Sequence, residues 1–204
     1  MRRLLLLPLL VVLAAGCGGS SKSSKGTTTA HKQIKVGLVT DINQLNDRGF
    51  NHLAYVGLLR AERELGIQGR VYQSGSAQDY IPNLAQFAQQ HYDLVISVGF
   101  AQADAVANVA KRFPNTHFAI IDVDAATLKG KPKNVLGLLF REQEVGYLAG
   151  YLAGLVEKQK PGPDVIGSVG GMKEPPVDRF IAGYQAGAKK ADPGIKVLNA
   201  YSQD

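Results

Sequence analysis

Two rhythms of apolar and polar residues alternate along this chain. Short apolar runs at 34–40, 93–98 and 117–122, with weaker ones at 70–74 and 134–139, predict β-strands. Between them, apolar residues recur at helical spacing over 48–65, 81–90 and 101–113. In the first of these helices Phe50, Leu53, Ala54, Val56, Gly57 and Ala61 fall near one face, and Gly66 is the stop signal. Pro114 ends the third helix. Strands that are continuously apolar are buried on both faces, and strand–helix alternation calls for right-handed βαβ units. The predicted class is α/β with a parallel sheet covered on both sides.

The texture changes after 139. Residues 142–157 predict a helix rich in small residues (Gly146, Ala149, Gly150, Ala153, Gly154), which permit close approach of a neighbour. It is too short for a membrane span of ~20 residues, and Glu142 and Glu144 oppose one. A Pro/Gly turn at 158–163 leads to a strand at 165–169, a helix at 177–190 and a strand at 195–201. Two parallel strands with two helices form a poor core by themselves. The sequence thus predicts a lobe at 34–139, the start of a second lobe at 140–204, and an N-terminal portion of a longer protein.

The first 17 residues have the layout of a secretory leader. Arg2 and Arg3 form a basic start, Leu4 to Ala15 an apolar stretch broken only by Pro8, and small residues precede Cys17. Cys17 is the only cysteine, which rules out an internal disulfide. The run Leu-Ala-Ala-Gly-Cys17 resembles a bacterial lipobox, which implies lipid attachment at Cys17. Ala14 stands where that motif prefers Leu. Residues 18–33, rich in Gly, Ser, Thr and Lys, read as a flexible tether.

The net charge is +6, but Arg2, Arg3, Lys22, Lys25 and Lys32 all lie in this leader and tether. The remaining residues carry 18 basic against 17 acidic side chains. A folded part this close to neutral argues against nucleic acid as a partner.

Ligands of open α/β sheets bind beyond the carboxyl ends of the strands. There the sequence places Asp41 and the loop to Asn51, then Gly99-Phe100, Asp122-Val-Asp124, and Gly170-Gly-Met172. Asn46 or Asp47 can cap the following helix; Phe50, in its first turn, is compatible with facing either the mouth or the core. An aromatic ring beside carboxylates suits a flat ligand bearing hydroxyls or ring nitrogens.

Enzyme signatures are missing. Residues 167–172 lack G-x-G-x-x-G and a Walker Lys-Ser/Thr pair, and no G-x-S-x-G occurs. Asp122 and Asp124 are too few for a hard cation, and the four histidines show no metal-binding spacing. No cofactor is implied.

Gly37-Leu-Val-Thr-Asp41 with Leu45-Asn-Asp-Arg-Gly-Phe-Asn51 resembles the opening motif, D-x-G-x-x-x-D-x-S-F-N, of the basic membrane protein family of lipoproteins. The resemblance continues through Asp79-Tyr80, 93–100, Phe113-Pro114, 118–122, Asn134-Val-Leu-Gly137, Phe140, Glu144, 146–150, 167–171 and 183–187. Asn43 and Gly49 depart from the motif's glycine and serine. This family includes purine-nucleoside-binding lipoproteins of ABC importers. The resemblance implies a type I periplasmic-binding-protein fold with two Rossmann-like lobes and a ligand in the cleft. It implies that Phe50 stacks on a base, that Asp41 and Asn51 reach the base edge, and that Asp122 takes ribose hydroxyls. Asp47, Gly99 and Phe100 would lie near the site; a second aromatic, an acid and a lysine of the family site would fall beyond Asp204. It further implies a nucleoside ligand, ABC permease and ATPase partners, and a lipid-anchored place on the outer face of the cell membrane. A surface lipoprotein sensing another small ligand, such as a sugar, is the alternative.

Overall fold

The computed structural model describes residues 32–42 and 44–202. The leader, Cys17, Asn43 and all but the last two residues of the tether lie outside that range.

Strand β1 (Lys35–Val39) leads to helix α1 (Phe50–Leu65), β2 (Gln68–Tyr72), α2 (Tyr80–Gln89), β3 (Leu94–Ser97), α3 (Ala103–Arg112), β4 (His117–Ile121) and β5 (Val135–Leu138). All five strands are parallel, in the order β2-β1-β3-β4-β5. Then follow α4 (Glu142–Glu157), β6 (Val165–Gly170), α5 (Pro175–Ala191) and β7 (Lys196–Tyr201), with β6 and β7 paired in parallel as a separate sheet.

Alternation along β1 shows why both faces of the first sheet are apolar. Val36 and Leu38 point to one face, where they meet Leu58 and Val98. Val39 points to the other, into a larger core with Leu84, Phe87, Val95, Val106, Val109, Phe118 and Ile120. Helices α2 and α3 supply much of that second core. Phe87 is fully buried, and its ring lies over Gly37 so closely that a Cβ there would come within 2.6 Å. Burial of such a ring stabilises by about 1.5–3 kcal/mol.

Helix α1 differs from its expected orientation. Its buried residues are Asn51 and Leu58, with Ala54 and Tyr55 half-buried beside them, whereas Phe50, Leu53 and Val56 are exposed. Gly66 ends the helix as expected, at φ 67°, with its N–H donating to Glu62 O at 3.1 Å. Strand β2 starts two residues earlier than the apolar pattern indicates, because pairing with β1 rather than hydrophobicity sets its bounds: Lys35 lies opposite Gln68. Helix α5 starts at Pro175 rather than 177, since proline fits a first helical turn, where its missing N–H has no partner to lose.

Helices α4 and α5 approach backbone to backbone. A Cβ on Gly150 would sit 1.9 Å from Tyr184 O, and one on Gly183 would sit 2.1 Å from Gln143 O. Among the described residues no helix is long and apolar enough to cross a membrane.

Candidate functional site

The carboxyl ends of β1, β3 and β4 form one rim of the first sheet, and the loops leaving them carry the candidate residues. Asp41 leaves β1 and is fixed from several sides. Its Oδ1 accepts from Ile42 N–H at 2.8 Å and from the Tyr80 hydroxyl. Its backbone N–H donates to Asn51 Oδ1 at 3.0 Å, and Asn51 Nδ2 donates back to Asp41 O at 3.4 Å. Asn51 is fully buried. The structure thus gives Asn51 a supporting position behind Asp41 rather than one in a cleft. Burial first, and the Asp41 carboxylate second, push the Tyr80 phenol well above its ordinary value, so it remains a proton donor.

Asp47 holds the start of α1. Its Oδ1 accepts from Gly49 N–H at 2.7 Å and from His52 N–H at 3.1 Å, and its Oδ2 from Asn51 N–H at 3.3 Å. These bonds, Gly49 foremost, hold its carboxyl below the usual range despite some desolvation. Asp47 therefore caps donors that the first helical turn leaves free. Phe50, directly above this cap, is 56% exposed and lies outside both cores.

Gly99 turns the chain out of β3 at φ 95°, a conformation that glycine adopts without a steric penalty. A Cβ there would stand 3.6 Å from Asp41 Oδ2, so the two loops adjoin. The turn that follows, Phe100–Gln102, buries Gln102, whose Nε2 donates to Val39 O at 3.2 Å and Val98 O at 2.9 Å. That amide ties the ends of β1 and β3 together. Phe100 is half-buried; it packs against the larger core and shows its remaining surface to a cleft.

Asp122 ends β4 at φ 68°, and its N–H donates to Leu138 O at 2.9 Å. A non-glycine residue in this region is uncommon and strained, although aspartate tolerates it better than most. The side chain is buried, and that burial raises its pKa; the nearby Glu142 raises it further while Arg179 opposes both. Asp124 is engaged differently: its Oδ1 accepts from Ala126 N–H at 2.9 Å, capping the next turn.

A cleft of about 470 Å³ opens beside this rim. Phe100, Asp104, Asp122, Asp124 and Thr127 line one side, and Glu174, Pro175 and Arg179 from the start of α5 line the other. Its size falls within the range of small-molecule sites. Of the expected residues, Phe100 and Asp122 line it. Asp41 and Gly99 adjoin at the same rim, Phe50 stands exposed at the head of α1, and Asp47 and Asn51 stabilise the loop from behind.

Three participants were not expected from sequence. Tyr80 reaches Asp41 from a different segment, 39 residues away. Glu142 and Arg179 form an ion pair at 3.1 Å, with Glu142 4% exposed. They are 37 residues apart on neighbouring helices, so no local spacing pairs them. The available signals were the Asp79-Tyr80 match to the family motif and an acid, Glu142, opening a largely apolar helix.

Comparison with known proteins bears on the same segment. Residues 34–204 match the family described as ABC transporter substrate-binding protein PnrA-like. An uncharacterized lipoprotein of Pyrococcus abyssi is 37% identical over 199 residues, which cover 95% of this chain and 48% of the relative. The ABC transporter nucleoside-binding protein BmpA of Lactococcus lactis is 38% identical over 197 residues, covering 94% of this chain and 53% of the relative. A crystal structure of an ABC transporter solute-binding protein from Aeropyrum pernix superposes with a TM-score of 0.71 at 30% identity, over 82% of this chain and 47% of that one. The chain thus spans about half the length of the curated relatives it matches.

Proposed function

Because the chain belongs to the family of PnrA-like ABC transporter substrate-binding proteins and has the type I periplasmic-binding-protein fold, we propose that it captures a nucleoside, preferably a purine nucleoside, outside the cytoplasm and delivers it to an ABC permease and its ATPase. Attachment to the membrane is through lipid on Cys17, and the tether of 18–33 keeps the binding domain near the permease.

The observation that carries this proposal is the gathering of Asp41, Gly99, Phe100 and Asp122 at the carboxyl rim of one parallel sheet, with a cleft beside Asp122. Chemistry at this rim fits a nucleoside. Phe50 offers an apolar ring face for stacking, worth ~1–3 kcal/mol per base in comparable systems. Asp41 presents a carboxylate whose Oδ1 is already engaged, which leaves Oδ2 toward Gly99 for an N–H on a base edge. Asp122 accepts from sugar hydroxyls, and charge-assisted bonds of this kind are worth ~1.5–3 kcal/mol. A relative named as nucleoside-binding supports the same ligand class.

A thermal-shift screen of the full-length protein tests the proposal, since a ligand selective for the native state raises its apparent stability. Nucleosides should raise the unfolding temperature, with purine nucleosides strongest, while amino acids and free sugars leave it unchanged. A shift confined to sugars or amino acids would refute it.

A further inference from the structure

Arg179 is the basic side chain on the wall of the cleft, among Asp104, Asp122, Asp124 and Glu174. It sits near the start of α5, and its Nη1 donates to Glu142 Oε2 at 3.1 Å. Glu142 is almost wholly buried in the first turn of α4, and among the described residues nothing donates to its Oε1. Arg179 by contrast keeps 34% of its side chain exposed. A guanidinium carries several N–H donors in a rigid plane, and one carboxylate oxygen does not exhaust them. Asp122 lines the same cleft from the end of β4, held there by its left-handed backbone.

A purely structural arginine would satisfy the buried Glu142 and turn away from the cleft. Arg179 instead lines it together with a buried carboxylate from the first sheet. Glu142 has two effects on that arrangement. Its bond fixes the guanidinium, and its negative charge lessens the pull that would close Arg179 onto Asp122 as a sealed ion pair. Donor and acceptor thus both remain available to a third group. A hydroxyl suits the pair, because it donates to a carboxylate while its oxygen accepts from a guanidinium. A phosphate does not suit it, since Asp104, Asp122, Asp124 and Glu174 would repel the charge.

We propose that Arg179 is a specificity-determining residue that, with Asp122, grips the sugar hydroxyls of the ligand, and that Glu142 is its positioning residue. This rests on the nucleoside-binding function proposed above. It makes the hydroxyls, rather than the base alone, a condition for tight binding, since a ligand lacking them leaves the buried Asp122 carboxylate without that partner.

Calorimetry on the full-length protein with inosine, uridine and their 2′,3′-dideoxy counterparts tests this. The wild type should bind a ribonucleoside at least about tenfold more tightly than its dideoxy analogue. The single change Arg179→Gln would leave Glu142 buried and unpaired, so the neutral double variant Glu142→Gln/Arg179→Gln is used, with Arg179→Lys as the variant that keeps the ion pair. The double variant should narrow the gap about tenfold by weakening the ribonucleoside alone, Asp122 retaining the rest, and the lysine variant should fall between. A gap undiminished in the double variant, or none in the wild type, overturns the role of Arg179 while leaving nucleoside binding intact. No binding of any of the four compounds to the wild type removes the nucleoside reading and this inference with it.

Discussion

Phe50 stands 56% exposed at the head of α1, although burying such a ring would stabilise the lobe by about 1.5–3 kcal/mol. In the proposed function that exposed face is what a base stacks on. Phe50→Ala should therefore weaken nucleoside binding about tenfold or more, with little change in unfolding temperature, as read by calorimetry and thermal denaturation. Asp122 carries the opposite trade. Its carboxyl pKa is raised from 3.8, chiefly by burial. Between that ordinary value and its raised one the folded protein holds more protons than the unfolded chain, so the stability it contributes falls as pH rises. Asp122→Asn keeps a residue tolerant of the left-handed backbone and removes the buried charge. It should raise the unfolding temperature at neutral pH, lose that advantage near pH 4, and weaken nucleoside binding. Legibility at this scale was uneven. Asp41 and Asp122 stand at strand ends and could be read from position alone. The inward turn of Asn51 was not readable, because it depends on Asp47 capping the helix and on the Asp41 backbone being within reach.

Among the elements, the apolar strands were legible because burial on both faces leaves an unbroken hydrophobic run. Edge strand β2 was displaced by two residues, since its outer positions are polar and partner pairing sets its limits. The core-facing side of α1 was not legible from spacing, because Leu53 and Val56 follow the helical repeat yet face outward, while for Phe50 the pattern left mouth and core both open. In α4 the glycine stripe was readable, but not the partner, since the matching Gly183 and Gly187 lie on α5. Two substitutions separate the roles of glycine. Gly150→Ala forces a methyl to within 1.9 Å of Tyr184 O, so the helices must separate; a loss of about 1–3 kcal/mol is expected in urea titration. Gly57→Ala, in the exposed middle of α1 with nothing within 4 Å, should instead stabilise by about 0.5–1 kcal/mol.

For the molecule as a whole, the proposed function gives residues 1–33 the task of placing the binding domain and the sheet rim the task of selecting its ligand. Cys17→Ser should move the protein from the membrane fraction to the soluble fraction, and its continued membrane association would remove the lipid anchor from the account. The α/β class and the family were legible in the sequence because colinear motifs extend from Gly37 to Gly187. The pairing of Glu142 with Arg179 was not, because it arises only when α4 and α5 pack. In the proposed function a nucleoside binds at the carboxyl rim of the five-stranded sheet. Backbone amide chemical shifts of the isotopically labelled full-length protein, followed during titration with a purine nucleoside, test it most directly. The largest changes should fall on Asp41, Gly99, Phe100 and Asp122. Saturating nucleoside that leaves these amides unmoved, or moves only residues remote from the rim, would contradict it.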